Sequence, residues 1–104
     1  MKIPSRLKVG GHIYKIIKNY KFTQDPKLIG QADHDLGEIR LSPYEATGNH
    51  RMPSRIEECF MHEILHCINN VYNENKLVEE ELGRLSQGLY QVLKDNKLLK
   101  ENHA

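Results

Sequence analysis

The sequence is poor in cysteine and contains no long apolar run. Two cysteines in 104 residues are too few for the disulfide scaffold that stabilises many small secreted domains. No window approaches 18 consecutive apolar residues, so no transmembrane helix is predicted. The first residues have no apolar stretch after their charges and do not predict a signal peptide. Together these absences predict a cytoplasmic protein without membrane contact.

The charge is nearly balanced overall but uneven along the chain. Fifteen Lys and Arg against 14 Asp and Glu give a net charge of +1, so no overall field attracts nucleic acid or an acidic membrane. Residues 1–24 carry six basic side chains and no acidic one, whereas residues 54–81 carry seven glutamates. The basic segment leaves nucleic-acid binding open as an alternative. The absence of a basic reading helix argues against it.

The first 42 residues are predicted to form two β-hairpins. Gly10-Gly11 separates two β-rich runs, and His34–Gly37 separates Leu28–Asp33 from Glu38–Ser42. The last of these segments alternates polar and apolar residues, as a half-buried strand does. We therefore expect a small antiparallel sheet of three to four strands.

The second half of the chain is predicted to form two long helices. A capping box, Ser54–Glu57, opens the first helix, and apolar residues then recur at three- and four-residue steps to Tyr72. A break at Asn73–Asn75 precedes a second helix that ends near Asp95. Strands followed by helices predict an α+β fold, with both helices on one face of the sheet. We expect a single domain over residues 1–104.

The segment His62-Glu63-Ile64-Leu65-His66 lies within the first predicted helix. Histidines four residues apart share one helix face, so both imidazoles can reach one metal ion. Zinc binds neutral imidazole nitrogen and leaves positions for a third ligand and a water. Glu63 lies at the edge of the same face, where it can accept a proton from the activated water. The motif predicts a Zn²⁺ site with His62 and His66 as ligands and Glu63 as the general base.

A catalytic zinc site takes a third protein ligand, and the second helix offers three consecutive glutamates. Its buried face is predicted from an apolar stripe formed by Val78, Leu82, Leu85, Leu89 and Val92. At about 100° per residue, Glu80 points away from this stripe, and Glu79 and Glu81 flank it. We favour Glu79 because Gly83 and Ser86 continue its face with small residues that allow close helix approach. Glu81 remains the alternative.

Other side chains near the motif are weaker candidates. Cys59 is a conceivable ligand, but a small buried core residue is the preferred interpretation for it and for Cys67. His50, in the loop before the motif helix, could approach the cleft, although exposure to solvent is favoured. Tyr44 and Tyr90 are candidate donors for a tetrahedral oxyanion. The remaining histidines are expected at the surface: His12, His34 and His103.

These motifs resemble the gluzincin clan of metallopeptidases, in which a glutamate from the following helix joins His-Glu-x-x-His. The chain also resembles small His-Glu-x-x-His proteins encoded by bacteriophages and prophages. The likeness covers four segments: Val9–Tyr14, Gly37–Ser42, Cys59–His66 and Glu79–Asn96. It implies a zincin-like fold and a peptide or protein substrate that pairs with Glu38–Ser42.

The resemblance departs from the clan at one supporting position. In gluzincins a small or apolar residue often lies three positions after the ligand glutamate, and a polar residue that supports a histidine follows it. Leu82 fits the first position relative to Glu79, but Gly83 stands at the second. The resemblance therefore leaves the outer-sphere partner of the histidines unassigned.

Two hypotheses follow for the function. The leading one is a zinc-dependent metallopeptidase that hydrolyses peptide bonds with a zinc-activated water. The alternative is a catalytically idle module, in which zinc stabilises a small core and the protein works by contacting a partner.

Overall fold

The computed structural model describes residues 1–99, with four strands followed by two helices. The elements are β1 Arg6–Val9, β2 His12–Ile17, β3 Gly30–Asp33, β4 Glu38–Leu41, α1 Pro53–Tyr72 and α2 Glu79–Asp95. The predicted α+β class is confirmed. Within this range, neither helix is long and apolar enough to cross a membrane.

The four strands form one sheet in the order β1-β2-β4-β3. Both predicted hairpins are antiparallel, with Leu7 opposite Tyr14 and Ala32 opposite Ile39. The central pair, β2 and β4, is parallel, so the prediction of an antiparallel sheet is wrong at this point and the sheet is mixed. The apolar residues Ile39 and Leu41 are fully buried, which suits β4 to a central position. The more polar β3 is left at an edge.

Helix α1 packs on the sheet through a close approach to two glycines. A Cβ added at Gly30 would lie 2.5 Å from Cys59 Sγ, so only glycine lets β3 approach the helix this closely. In the β1–β2 turn, Gly10 has φ +60° and lies against Val71. The buried core between sheet and helix consists of Val9, Tyr14, Ile16, Ile39, Leu41, Phe60 and Cys67.

The start of α1 differs from the prediction in its cap. Met52 is the N-cap residue, Pro53 occupies the first turn, and no side chain caps the helix. The predicted capping box is therefore wrong. Its glutamate, Glu57, instead accepts a hydrogen bond of 2.6 Å from the Tyr90 hydroxyl and so links α1 to α2.

Helix α2 packs on α1 alone, as a third layer. Among the described residues it makes no close contact with a strand, so the expectation that both helices cover the sheet is wrong. An outer helix buries only a narrow face, which here contains Leu82, Ser86 and Tyr90. The rest of the predicted stripe is exposed: Val78, Leu85, Leu89 and Val92. The buried direction of α2 is therefore rotated towards Glu79.

Candidate metal centre

Helix α1 places the two motif histidines side by side. His62 Nε2 and His66 Nε2 are 3.1 Å apart, as residues one helical turn apart on one face can be. Both side chains are half-buried, with 19% and 27% of their surface exposed. Burial lowers the pKa of His66, which favours the neutral imidazole that a metal ion requires.

Helix α2 brings a carboxylate to the same point. Glu79 Oε1 lies 2.7 Å from His62 Nε2, and Glu79 Oε2 lies 2.7 Å from His66 Nε2. One ligand atom from each of the three residues lies within 4.8 Å of the other two. The structure thus brings His62, His66 and Glu79 into a group that could hold a metal ion.

The neighbouring glutamates have other surroundings. Glu81 Oε1 accepts the backbone N–H of Val78 at 3.0 Å, which satisfies a free donor at the start of α2. Glu80 is exposed, as predicted. Neither residue belongs to the three-residue group, so the alternative ligand Glu81 gains no support.

The hydrogen bonding around His62 fits a metal ligand. The Ser86 hydroxyl donates its only hydrogen to the Gly83 carbonyl at 3.0 Å. Its oxygen lies 3.2 Å from His62 Nδ1 and can accept from it, which suits the neutral tautomer with its proton on Nδ1. This tautomer leaves the Nε2 lone pair facing Glu79 and His66. Two imidazole nitrogens and a carboxylate, all acceptors at one point, form a donor set that suits a divalent ion such as zinc.

Ser86, which the sequence predicts only as a small residue on the Glu79 face, contacts His62. It lies seven residues after Glu79, on the same helix face, and is almost fully buried. Gly83 faces the same ring: a Cβ added at this glycine would lie 3.9 Å from His62 Cε1. The polar support for a histidine therefore comes one turn later than in the gluzincin pattern. The signal for this contact in the sequence was a polar residue, Ser86, among the small residues that continue the Glu79 face of α2.

Glu63 lies next to the group but is not part of it. Its side chain is 5% exposed, and Cys59 Sγ lies 3.8 Å from its Oε2. Burial raises the pKa of Glu63 to about 7, and the nearby His62 acts in the opposite direction. A carboxyl group with this pKa can both accept and release a proton near neutral pH.

The two cysteines lie outside the group of ligand atoms. Cys67 is fully buried and Cys59 is half-buried against Gly30. Burial raises the pKa of both thiols, that of Cys67 to about 11. They are protonated core thiols at neutral pH, which agrees with the preferred interpretation.

The remaining candidates also lie outside this group. His50 is exposed and contacts the Tyr44 ring, and Tyr90 is engaged by Glu57. The expectation that His34 is a surface group is wrong, since it is half-buried and its Nδ1 lies 2.9 Å from the buried Tyr14 hydroxyl. His12 is exposed as expected. His103 lies outside the described residues.

A shallow cleft of about 220 Å³ opens on the Ser86 side of His62, and its lining includes neither Glu63 nor His66 nor Glu79. Its walls come from α1, α2 and the residue before β3, including Arg55, Gln87 and Ile29. The expectation that a substrate pairs with Glu38–Ser42 is wrong. Strand β4 is paired with β2 on one side and with β3 on the other, so it has no free edge. Both edge strands, β1 and β3, contact α1, and the contact of β3 is the more extensive.

Comparisons of the chain with protein-family models, curated proteins and solved structures find no match.

The three glutamates at the start of α2 provide a direct test of the ligand assignment. Glu79→Ala is expected to weaken zinc binding by more than the roughly 10–100-fold typical of losing an outer-sphere partner, because it removes a ligand. Glu80→Ala should leave the dissociation constant unchanged. Competition with a chromophoric chelator measures the zinc dissociation constants of Glu79→Ala, Glu80→Ala and Glu81→Ala. A larger loss for Glu81→Ala than for Glu79→Ala would contradict the assignment.

Proposed function

We propose that the protein is a zinc-dependent metallopeptidase-like hydrolase that cleaves peptide bonds. The observation that carries the proposal is the convergence of His62, His66 and Glu79 beside the buried carboxyl group of Glu63. A zinc ion held by the three residues would polarise the scissile carbonyl and lower the pKa of a water.

The residues of the chain supply proton transfer and orientation. Glu63 accepts the proton of the attacking water on its carboxylate and returns it to the leaving amine nitrogen. Its buried position keeps bulk water from competing for that proton. Ser86 holds the His62 ring through Nδ1, so Nε2 keeps one direction through the reaction.

An extended peptide is the substrate that the surroundings favour. Strand β3 is paired with β4 on one side only, so its other edge offers backbone donors and acceptors. A peptide added to this edge would run beside α1 near the point where Cys59, the neighbour of Glu63, packs on Gly30. The proposal therefore moves the substrate from β4, where the resemblance had placed it, to β3.

A catalytically idle zinc-stabilised module is the second candidate. The observation that favours it is that, within residues 1–99, α1 is the only element on which α2 packs, so a metal bound between the two helices would fix the outer layer. In this case the exposed Leu85, Leu89 and Val92 would offer apolar surface to a partner. A cytoplasmic location and a phage or prophage origin remain predictions.

Metal analysis combined with a cleavage assay tests the proposal. Protein purified without added metal is expected to contain roughly one equivalent of zinc and to cleave a library of extended peptides. A chelator should abolish cleavage, and added zinc should restore it. Protein that neither contains zinc nor binds it on titration contradicts the site. Stoichiometric zinc without cleavage contradicts the peptidase and favours the idle module.

A further inference from the structure

The position of Glu79 depends on the segment that joins the two helices. His62 and His66 come from α1, but Glu79 is the first residue of α2 and follows the connection 73–78. Its side chain is 68% exposed, so packing around the carboxylate contributes little to its position. The buried face of α2 and the Tyr90–Glu57 bond hold the body of the helix on α1, whereas the connection determines where its first turn, with Glu79, begins.

The connection is bonded to a single buried side chain, Asn69 of α1. Asn69 is 4% exposed, and its amide makes three hydrogen bonds, all to the connection. Its Oδ1 accepts the backbone N–H of Leu77 at 3.1 Å and the side-chain amide of Asn73 at 3.0 Å. Its Nδ2 donates to the Leu77 carbonyl at 3.1 Å. The amide thus satisfies both backbone groups of a residue two positions before Glu79.

The backbone of the connection turns back on the same residue. The Asn69 carbonyl accepts N–H groups from Asn73 and Asn75. Glu74 and Asn75 both have positive φ, 53° and 57°, a conformation that reverses the chain at the end of a helix. The chain therefore leaves α1, reverses and is fastened to α1 again at Leu77.

Only a side chain with both a donor and an acceptor can make this pair of bonds. An asparagine amide mimics a peptide group and can pair with the N–H and C=O of one residue. Aspartate would lose the donation to the Leu77 carbonyl, and leucine would remove the partner of both backbone groups of Leu77.

We propose that Asn69 is a positioning residue for the metal centre, which fixes the start of α2 so that the Glu79 carboxylate reaches both histidines. Asn69 lies three residues after His66, so one helix carries both histidines and the anchor that places the third ligand. This inference rests on the proposed function, because it assumes that the three residues bind zinc. Its role is exerted through Glu79 and not through contact with the ion.

A double-mutant cycle on zinc affinity tests the proposal. Asn69→Leu is expected to weaken zinc binding by about 10-fold or more, as for an outer-sphere partner. In a Glu79→Ala background the same substitution should change the dissociation constant by less than about twofold, because the group that it positions is absent. A residue that merely stabilised the fold would weaken binding by the same factor in both backgrounds. That result, or an unchanged dissociation constant for Asn69→Leu, overturns the proposal.

Matched variants keep the test decisive. Asn70→Leu changes the adjacent asparagine, which has one side-chain bond of 3.5 Å to Asn75, and should keep the wild-type dissociation constant. If Asn69→Leu does not fold, as judged by circular dichroism, Asn69→Asp keeps the two bonds that Oδ1 accepts, loses the donation to the Leu77 carbonyl and places a carboxylate oxygen against that carbonyl. Asn69→Asp should weaken zinc binding in the wild-type background and change the dissociation constant little in the Glu79→Ala background. An equal change in the two backgrounds overturns the proposal. Wild-type protein that binds no zinc overturns this inference and the proposed function together, whereas normal wild-type binding with additive cycles overturns this inference alone.

Discussion

Glu63→Gln is expected to lower peptidase activity by at least ~100-fold, the lower end of general-base catalysis, with zinc content and stability unchanged. Glutamine keeps the shape of the side chain but cannot accept the proton. The substitution should be well tolerated, because the side chain is buried and an uncharged amide of the same size costs less to bury than a carboxylate. Activity on the most rapidly cleaved library peptide and zinc content measured on the same samples check the prediction.

Glu80→Gln is the matched control for this experiment. It makes the same chemical change at an exposed position next to the ligand Glu79, and its activity should equal that of the wild type. Loss of zinc in the Glu63→Gln protein would indicate that Glu63 is a ligand or a structural partner. That result would contradict its role as the general base. Full activity in the variant would also exclude that role.

Zinc is expected to raise the thermal stability of the protein strongly. A ligand that binds only the native state adds about 2.7 kcal/mol to the free energy of unfolding when its free concentration is 100 times Kd. For a domain of about 100 residues, this corresponds to a rise in Tm of roughly 10 °C or more. Thermal unfolding followed by circular dichroism, with zinc and with excess chelator, measures the difference.

The zinc-dependent rise in Tm should depend on the three proposed ligands and not on histidines elsewhere in the chain. His66→Ala is expected to lose most of the zinc-dependent rise in Tm, since it removes one of three ligands. His50→Ala, at an exposed position outside the group, should keep the full rise. An equal Tm with zinc and with chelator would contradict a native-state site, and equal shifts in the two variants would place the zinc elsewhere.

The elements of the fold were predictable because each is encoded by local periodicity. Alternation in Glu38–Leu41 and the three- and four-residue steps before Tyr72 predicted a strand and a helix that the structure contains. The parallel pairing of β2 with β4 was not predictable in this way. The pairing depends on the path of residues 18–29, which carry no regular apolar pattern. It also depends on which strand takes the central position in the sheet.

The candidate site was predictable where one helix defines it. His62, Glu63 and His66 are fixed relative to one another by helical geometry alone. Glu79 was favoured through the small residues on its face, but the apolar stripe used as the reference is mostly exposed, because α2 is an outer helix. Ser86 and Asn69 act through bonds between elements, and no sequence spacing encodes such partners.

The short span of the metal centre has a consequence for how the chain folds. Every part of the site, from His62 to Ser86, lies within one helical hairpin whose connection is residues 73–78. Contacts this close in sequence form early, whereas the β2–β4 pairing joins residues more distant along the chain. The hairpin can therefore assemble the site before the sheet has closed. A metal captured at that stage stabilises the folding transition state as well as the native state, so the folding rate itself would rise with zinc concentration.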